Sequence, residues 1–304
     1  MRPVDSRGLW SAFAAYGLWG LLPVYWKFLV QVPALEILLH RMVWSLALLV
    51  AILAFTGRLR KPVVALGERR TLAVYTLAAL LLSVNWGIYI WAVNHDFIVE
   101  TSLGYFINPL MSVLLGVLVF RERLRVLQWG AIGLAAVGVA YLTAVYGRLP
   151  WISLALAVSF AIYGVLKKVA PLGALDGLTL ETALMFLPAM ALLVRWQLAG
   201  SGSFGHFGAA TDLLLVGAGA ATTLPLLFFA AAARRLPLTL IGVIQYLAPT
   251  LQFLLGVAVY GEPFDRSRLV GFTFIWAALI LFTVEGWYAG RRRGTVGAPG
   301  GGLG

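Results

Sequence analysis

Three ionisable residues interrupt an apolar run near the start of the chain. Glu36, His40 and Arg41 are followed by a long stretch of aliphatic residues. On a helix, Glu36 and His40 share one face, and Arg41 is turned by about 100° from His40. Such groups are costly inside a bilayer unless they are paired or hydrated, so each is a functional candidate. We predict that this face lines a solute pathway and binds a polar or charged group, and that Glu36 or His40 exchanges protons.

The same residues have a second interpretation. Glu36 follows Pro33 by three positions, which places it close to the predicted start of a span. Glu36 and Arg41 would then contact lipid headgroups or pair with each other. Lys27, on the other side of the short loop before this span, would either extend to the membrane interface or pair with Glu36.

A second set of candidates combines an amide with aromatic rings. Asn85, Trp86 and Tyr89 lie in another apolar run, with Asn85 and Tyr89 four residues apart. Aromatic rings stack on an organic solute, and amides fix its orientation. We therefore predict that these three residues contact an amphipathic solute. For Asn85, a hydrogen bond between helices is the alternative.

Two prolines lie inside apolar runs at comparable places in the two halves of the chain. Pro109 and Pro249 each remove one backbone donor and free a carbonyl about one turn earlier. Freed carbonyls in a bilayer must face protein or a water-filled cavity. We predict paired hinges or binding elements at a central pathway; the alternative is a kink that a neighbouring helix satisfies. The flanking pathway candidates are Tyr105 and Asn108 before the first proline, and Gln245 and Tyr246 before the second.

The elements that must position these residues are transmembrane helices. Of the 304 residues, 61% are hydrophobic and 12% are charged, and the mean hydropathy is +0.91. A soluble domain of this length could not bury so much apolar surface. A span needs roughly 20 apolar residues, so the pattern predicts an all-α integral membrane protein with ten spans. These cover residues 9–28, 33–56, 72–93, 98–120, 126–146, 150–167, 178–197, 211–233, 238–260 and 267–288.

The distribution of positive charge predicts the orientation of the spans. When residues at the ends of spans are counted with the adjacent side, 17 of the 23 Lys and Arg residues lie on the side of the N-terminus, five lie on the other side and one, Arg41, lies within a span. This excess predicts that both termini are cytoplasmic, which requires an even number of spans. The net charge of +11 is thereby explained by topology. We expect membrane lipids as partners and no nucleic acid.

The chain contains an internal repeat. The segments NPLMSVLLGVLVFRE and APTLQFLLGVAVYGE carry Pro, Gly and Glu at the same spacings, 140 residues apart. Each repeat has five spans, an odd number, so the second copy is inverted in the membrane. Inverted repeats are a recurrent plan of secondary transporters, whose halves exchange inward-open and outward-open forms. The glutamates that end the two segments, Glu122 and Glu262, are expected to pair with arginines or to cap the following helix.

A weaker similarity aligns Glu36 with Glu181 in the second repeat. Glu181 is therefore a third candidate for proton coupling, although the inverted relation would place it near the opposite side of the membrane. We predict a first repeat over residues 1–146, a second over 147–290, and a basic, then Gly-rich disordered tail over 291–304. Small residues in the fifth and tenth spans would serve either the repeat interface or a homodimer; they include Gly130, Gly133, Gly138, Gly271, Ala277 and Ala278.

Motifs for other chemistry are missing from the sequence. It has no cysteine, no metal-ligand spacing among its three histidines, no phosphate-binding Gly-x-x-x-x-Gly-Lys-Ser/Thr loop and no hydrolase motif. We predict no enzymatic activity, no catalytic residue, no metal and no cofactor. The pattern favours a carrier for a small organic metabolite or drug-like solute. A lipid scramblase or a pore is the alternative, and a membrane-embedded enzyme is less favoured.

Three segments carry a resemblance to a known family, together with the Pro, Gly and Glu signature: GLLPVYWKFLVQVPALEILLHRMVWS, SVNWGIYIWAVNHDFIVETSLGYFINPL and IQYLAPTLQFLLGV. In these segments the chain resembles EamA-type members of the drug/metabolite transporter superfamily, in particular the RarD subfamily. It implies ten spans, with spans 1–4 and 6–9 around a central cavity and spans 5 and 10 at the periphery. It also implies a permease of the bacterial inner membrane, of a subfamily named for chloramphenicol sensitivity or resistance, and it suggests export.

Overall fold

The computed structural model describes residues 5–121, 124–233, 235–236 and 244–296. These residues form α-helices and one π-helix, and none of them is in a strand, as the all-α prediction requires. The helices are α1 (Ser6–Lys27), α2 (Ala34–Phe55), α3 (Arg60–Ala65), α4 (Arg69–Asn94), α5 (Ile98–Phe120), α6 (Val126–Tyr146), α7 (Trp151–Val169), α8 (Ala174–Leu198), α9 (Ala209–Ala233), α10 (Leu247–Leu254), the π-helix Leu255–Val259 and α11 (Arg266–Val296). The short helix α3 was not predicted.

Seven helices in the described part of the chain are long and apolar enough to cross a membrane: α2, α4, α5, α6, α8, α9 and α11. They coincide with seven predicted spans and confirm a multi-pass membrane protein. The other three predicted spans contain α1, which has 22 residues, α7, and α10 with the π-helix. The last two are shorter apolar helices. That all ten segments cross the membrane stays a prediction.

Helix boundaries follow local signals in the sequence. The side chain of Asp5 accepts hydrogen bonds from the N–H groups of Arg7 and Gly8, and so caps the start of α1. α6 ends at Tyr146 and is followed by Gly147, which has φ of 65° and takes the left-handed conformation that glycine adopts easily. α11 continues to Val296 and includes residues 291–296, which were assigned to the tail. Residues 297–304 lie outside the described part.

The helices form two compact units. Unit 1 contains residues 1–108 and 151–263, and unit 2 contains residues 109–150 and 264–304. Unit 1 therefore takes α1 to α4, the first half of α5, and α7 to α10. Unit 2 takes the rest of α5, α6 and α11. Each unit draws on both predicted repeats, and the repeat boundaries themselves stay a prediction.

Unit 1 is built by contacts between helices from the two halves of the chain. α2 packs on α8 and α9, α1 packs on α9 and α10, and α4 packs on α7 and α8. α2 and α9 approach closely because Gly219 lies against the backbone of Trp44 and Ser45, where a Cβ would overlap. The hydroxyl of Ser45 donates to the Gly219 carbonyl at 3.3 Å. Close approach of this kind is how small residues stabilise packing between membrane helices.

Each end of unit 1 has an ion pair that connects two of its segments. At the end where α1 finishes and α2 begins, called the Lys27 end, Lys27 forms a salt bridge with Asp96. At the opposite end, called the Arg58 end, Arg58 pairs with Asp176 at 2.7 Å. The Lys27 end thus connects α1 to the turn after α4, and the Arg58 end connects the segment after α2 to α8.

Unit 2 is centred on the contact between α6 and α11. Gly138 faces Phe274 and Gly271, and Gly271 in turn faces Leu142, at distances too short for an added Cβ. Gly138 and Gly271 therefore serve this contact within one chain, whereas Gly133 has open space beside it, and a homodimer stays a prediction. Arg125 and Glu285 add an ion pair of 2.7 Å between the same two elements.

Candidate functional site

Arg41 is the most unusual buried residue of unit 1. It lies in the second turn of α2 and is 2% exposed. Its guanidinium carbon lies 3.6 Å from the centre of the Trp86 ring and 5.4 Å from that of Trp26. Arginine stacks well on aromatic faces because its planar charge is weakly hydrated. α1, α2 and α4 each contribute one residue to this contact.

Two tyrosines complete the surroundings of Arg41. The rings of Tyr89 and Tyr105 meet edge to face with centroids 5.7 Å apart. Both tyrosines are close enough to Arg41 to act on its charge. We call Arg41, Trp26, Trp86, Tyr89 and Tyr105 the Arg41 cluster; it draws on α1, α2, α4 and α5.

Several buried polar atoms of this cluster have no hydrogen-bond partner within the described residues. They are Nε and Nη1 of Arg41, the hydroxyl of Tyr89 and the indole nitrogen of Trp26. Buried polar groups in proteins are nearly always paired. Orphaned groups that converge with aromatic rings are the features expected of a binding site.

Asn85 makes hydrogen bonds between helices, which is the second of its two predicted roles. Its amide nitrogen donates to the Leu156 carbonyl at 2.9 Å and to the Ser159 hydroxyl at 2.8 Å. It therefore holds α4 against α7. Its neighbours on α4, Trp86 and Tyr89, turn to the Arg41 cluster instead.

Glu36 and His40 contact the segment between α8 and α9. Glu36 accepts hydrogen bonds from the backbone N–H and the hydroxyl of Ser203, at 2.6 Å and 2.7 Å. His40 stacks on Phe204 with ring centroids 5.4 Å apart, and its Nε2 lies 3.9 Å from Glu36. The alternative in which Glu36 pairs with Arg41 is wrong for this conformation, because Arg41 Nε and Nη1 have no hydrogen-bond partner among the described residues.

Lys27 and Glu181 lie at opposite ends of unit 1. Lys27 pairs with Asp96 and not with Glu36, so the proposed Lys27–Glu36 pair is also wrong here. Glu181 accepts from Lys167 at 2.8 Å and from the Tyr163 hydroxyl at 3.1 Å. Glu36 lies at the Lys27 end and Glu181 lies towards the Arg58 end, so the two carboxylates are separated, as expected.

The proline regions differ between the two repeats. Pro109 is inside the continuous helix α5, and the chain passes from unit 1 to unit 2 between Asn108 and Pro109. Pro249 lies in the first turn of α10, where a missing N–H has little effect. Gln245 and Tyr246 immediately precede α10, and their carbonyls accept from Ala248 and Thr250. Hinge roles for both prolines stay predictions.

Glu262 caps a helix, but not the one that follows it. Its two oxygens accept from the N–H groups of Ile98 and Val99 at 2.7 Å and 2.8 Å, at the start of α5. Burial raises the pKa of the Glu262 carboxyl, while the two N–H groups act in the opposite direction. Glu122, its predicted counterpart, lies outside the described residues.

Sequence reasoning missed Trp26 and Ser203 as parts of these sites. Trp26 is on α1 and Ser203 is in a loop, so neither shares a helix face with Arg41 or Glu36. A repeat or periodic pattern could not have identified them, because their contacts are made only by the tertiary fold. Among the described residues, no group of three or more His, Asp or Glu side chains could hold a metal ion.

Comparisons with known proteins agree with a transport role. A model of the EamA-like transporter family matches residues 6–144. "Protein RarD" of Streptomyces exfoliatus is 48% identical, with 95% of this chain and 91% of the relative aligned. An "Uncharacterized transporter" of Vibrio cholerae is 46% identical over 94% of this chain and 95% of the relative. "Protein RarD" of Escherichia coli is 41% identical over 94% of this chain and 97% of the relative.

A solved crystal structure has the same fold. It superposes with a TM-score of 0.58 and 19% identity, over 92% of this chain and 98% of that chain. At this level of identity, the likeness concerns the fold alone.

Proposed function

Because the chain belongs to the EamA-like transporter family, among its RarD-type members, we propose that it is a secondary transporter that moves a small organic solute by alternating access. The observation that carries the proposal is the Arg41 cluster. It offers buried, unpartnered polar atoms beside aromatic rings within a bundle of apolar helices. Such a site can hold a solute away from both water and lipid.

The packing of the helices supports an inverted repeat. Under the proposed repeat, α1, α2, α4, α5 and α6 correspond to α7, α8, α9, α10 and α11. The contact of α1 with α9 then corresponds to that of α7 with α4, and the contact of α2 with α9 corresponds to that of α8 with α4. All four contacts are present. The contact of α1 with α10 likewise has a counterpart between α7 and α5, where the Ser153 hydroxyl donates to the Glu100 carbonyl at 2.7 Å.

The proposed topology has ten spans with both termini in the cytoplasm of a bacterial cell. Its support is the excess of 17 positive residues over five on the side of the N-terminus. The Lys27 end of unit 1 would then face outward and the Arg58 end inward. In this proposal Glu36, His40 and Glu181 are the candidates for proton coupling, because each is an ionisable residue within a predicted span.

Alternating access requires that contacts at each end of unit 1 break in turn. At the Lys27 end these are the Lys27–Asp96 salt bridge and the contact of Glu36 with Ser203. At the Arg58 end the Arg58–Asp176 pair has the corresponding place. Few, local polar contacts of this kind can open without loss of the packed helix interfaces.

The proposal is tested by counterflow in proteoliposomes. Vesicles that contain the purified protein are loaded with one unlabelled solute of a panel of drugs and metabolites, and uptake of the labelled solute is followed with and without a proton gradient. We expect transient accumulation of at least one solute, which empty vesicles do not show. If no solute exchanges, a carrier function is refuted. Exchange of fluorescent phospholipids between leaflets at a similar rate would instead indicate a scramblase.

A further inference from the structure

We propose that the Arg41 cluster binds the anionic group of an organic solute, a carboxylate or a phosphate, while the flat apolar body of the solute stacks on the aromatic rings of the cluster. This inference rests on the proposed function and deepens it, because it names the substrate class of the same site.

The unpartnered atoms of the cluster are hydrogen-bond donors. Arg41 Nε, Arg41 Nη1 and the Trp26 indole nitrogen can only donate, and the Tyr89 hydroxyl can donate as well. A buried donor without an acceptor loses its hydration and gains nothing in return. The site is therefore complementary to a ligand that is rich in acceptor oxygens. A carboxylate or phosphate has several such oxygens on one atom, whereas a neutral amide or alcohol has one.

Among the described residues, none neutralises the positive charge of Arg41. Within the described part of the chain, no carboxylate forms an ion pair with its guanidinium, and its electrostatic neighbours are Tyr105 and Tyr89. The buried carboxylates of unit 1 have partners elsewhere: Glu36 is held by Ser203, Asp176 by Arg58, Glu181 by Lys167, and Glu262 by the N–H groups of Ile98 and Val99. A bound anion would supply the missing charge.

The stacking geometry leaves the donor edge of the guanidinium without an acceptor among the described residues. Trp86 covers one face of the guanidinium plane at 3.6 Å. Stacking of this kind occupies the face and leaves the N–H groups at the edge for carboxylate or phosphate oxygens. Trp86 and Tyr105 are each only partly buried, so the cluster is not closed on every side.

Benzoate and benzamide are suitable probes, because they share a flat ring and differ in charge. Binding is measured by tryptophan fluorescence and thermal shift on the purified full-length protein in phosphatidylcholine nanodiscs. We expect a dissociation constant for benzoate at least about tenfold lower than for benzamide, as for a charge-assisted hydrogen bond. Phenyl phosphate should bind like benzoate. Equal affinity for benzoate and benzamide would overturn the proposal.

Variants assign the binding to the cluster. Arg41→Gln should weaken benzoate binding at least about tenfold, and Arg41→Lys should retain part of it, because the charge remains and the planar fork is lost. Arg195→Gln, an exposed arginine on α8, should bind as the parent does. If Arg41→Gln does not fold, Tyr89→Phe serves instead: it keeps the ring and should weaken benzoate several-fold. If the variant that folds binds benzoate as tightly as the parent does, the Arg41 cluster is not the binding site.

Two further arms identify the source of the anion. If inorganic phosphate displaces benzoate as strongly as phenyl phosphate does, the site binds only an inorganic counter-ion, and an organic solute is refuted. If phosphatidylglycerol in the nanodisc displaces benzoate, and the displacement depends on Arg41, the site binds a lipid headgroup. A soluble organic solute would then also be refuted. No competition from either supports a soluble organic anion.

Failure of this inference and failure of the proposed function give different results. If benzoate binds in an Arg41-dependent way but no solute is exchanged in proteoliposomes, the anion site stands and the carrier function falls. If solutes are exchanged but benzoate binds no better than benzamide, the carrier function stands and the anion site falls.

Discussion

Ser203 holds the carboxylate of Glu36 from a position 167 residues further along the chain. One carboxylate oxygen accepts from the Ser203 backbone N–H at 2.6 Å and the other from its hydroxyl at 2.7 Å. Glu36 is 2% exposed, and His40, one turn later, stacks on Phe204 next to Ser203. The loop between α8 and α9 is therefore fastened to the first two turns of α2, close to Arg41 in sequence. A conformational change at the Lys27 end would have to break this contact.

We predict that Glu36→Gln lowers the stability of the protein by about 1–3 kcal/mol, because a neutral amide replaces a buried acceptor that carries charge. Ser203→Ala removes only the hydroxyl donor and should have a smaller effect. Chemical denaturation in detergent measures both. Glu68→Gln is the control: Glu68 is exposed and accepts from the Thr71 hydroxyl, which a glutamine oxygen can still do, so the effect should be small. A Glu36→Gln protein as stable as the parent would contradict the structural role of this contact.

The same variant tests proton coupling. When the loop moves away, Ser203 withdraws both donors, and a proton on Glu36 would replace them. We therefore expect the pH dependence of flux in proteoliposomes to be lost in Glu36→Gln, with flux per folded molecule retained at low pH. An unchanged pH profile would leave His40 and Glu181 as the remaining candidates.

Asn85 gives a prediction about stability without a change in binding. It joins α4 to α7 through Leu156 and Ser159, so Asn85→Ala should cost about 1–3 kcal/mol in the free energy of unfolding. A double-mutant cycle with Ser159→Ala should show a coupling energy of about 0.5–3 kcal/mol. Benzoate affinity of the folded fraction should not change, because the Asn85 amide nitrogen is engaged with Leu156 and Ser159 and Asn85 is not part of the Arg41 cluster. Additive effects of the two substitutions would contradict the hydrogen bond.

These contacts show what sequence reasoning could reach. Trp86 and Tyr89 are three residues apart on one helix, so their common face was predictable from helical periodicity. Lys27 pairs with Asp96, and Glu36 with Ser203, across 69 and 167 residues. Neither partner has a local signal, because each lies in a turn or loop whose position depends on how distant helices pack. The helices were therefore predictable, and so was Arg41 as a candidate, whereas the tertiary partners were not.

The Lys27–Asp96 salt bridge allows a test of opening at this end of unit 1. Lys27→Gln and Asp96→Asn should each lower stability by less than about 1 kcal/mol, because Asp96 is largely exposed. Asparagine is the appropriate replacement, since position 96 has φ of 62°, which asparagine tolerates. We expect easier opening, measured as faster labelling of a cysteine placed at Phe204 in this cysteine-free chain. Slow labelling in both single variants would contradict a closing role.

An anionic substrate makes transport sensitive to membrane potential. Arg41 stays with the protein, so a cycle that carries a monovalent carboxylate without a coupled proton moves one negative charge across the membrane. A potential of 100 mV acts on that charge with about 2.3 kcal/mol, which corresponds to roughly a fiftyfold ratio of concentrations at equilibrium. Efflux of benzoate from proteoliposomes should therefore rise when a potassium gradient with valinomycin makes the interior negative. This holds for either orientation of the protein in the vesicle.

Benzamide in the same vesicles is the control, and its flux should not respond to the potential. Arg41→Lys should reduce benzoate efflux but keep its dependence on voltage, because the charge that moves belongs to the solute. If benzoate efflux were carried in the anionic form but did not respond to the potential, a compensating ion must move with it. A proton gradient of equal size would then drive benzoate efflux in place of the voltage. If Glu36→Gln abolished this proton-driven efflux, Glu36 would be connected to the transport of the anion at Arg41.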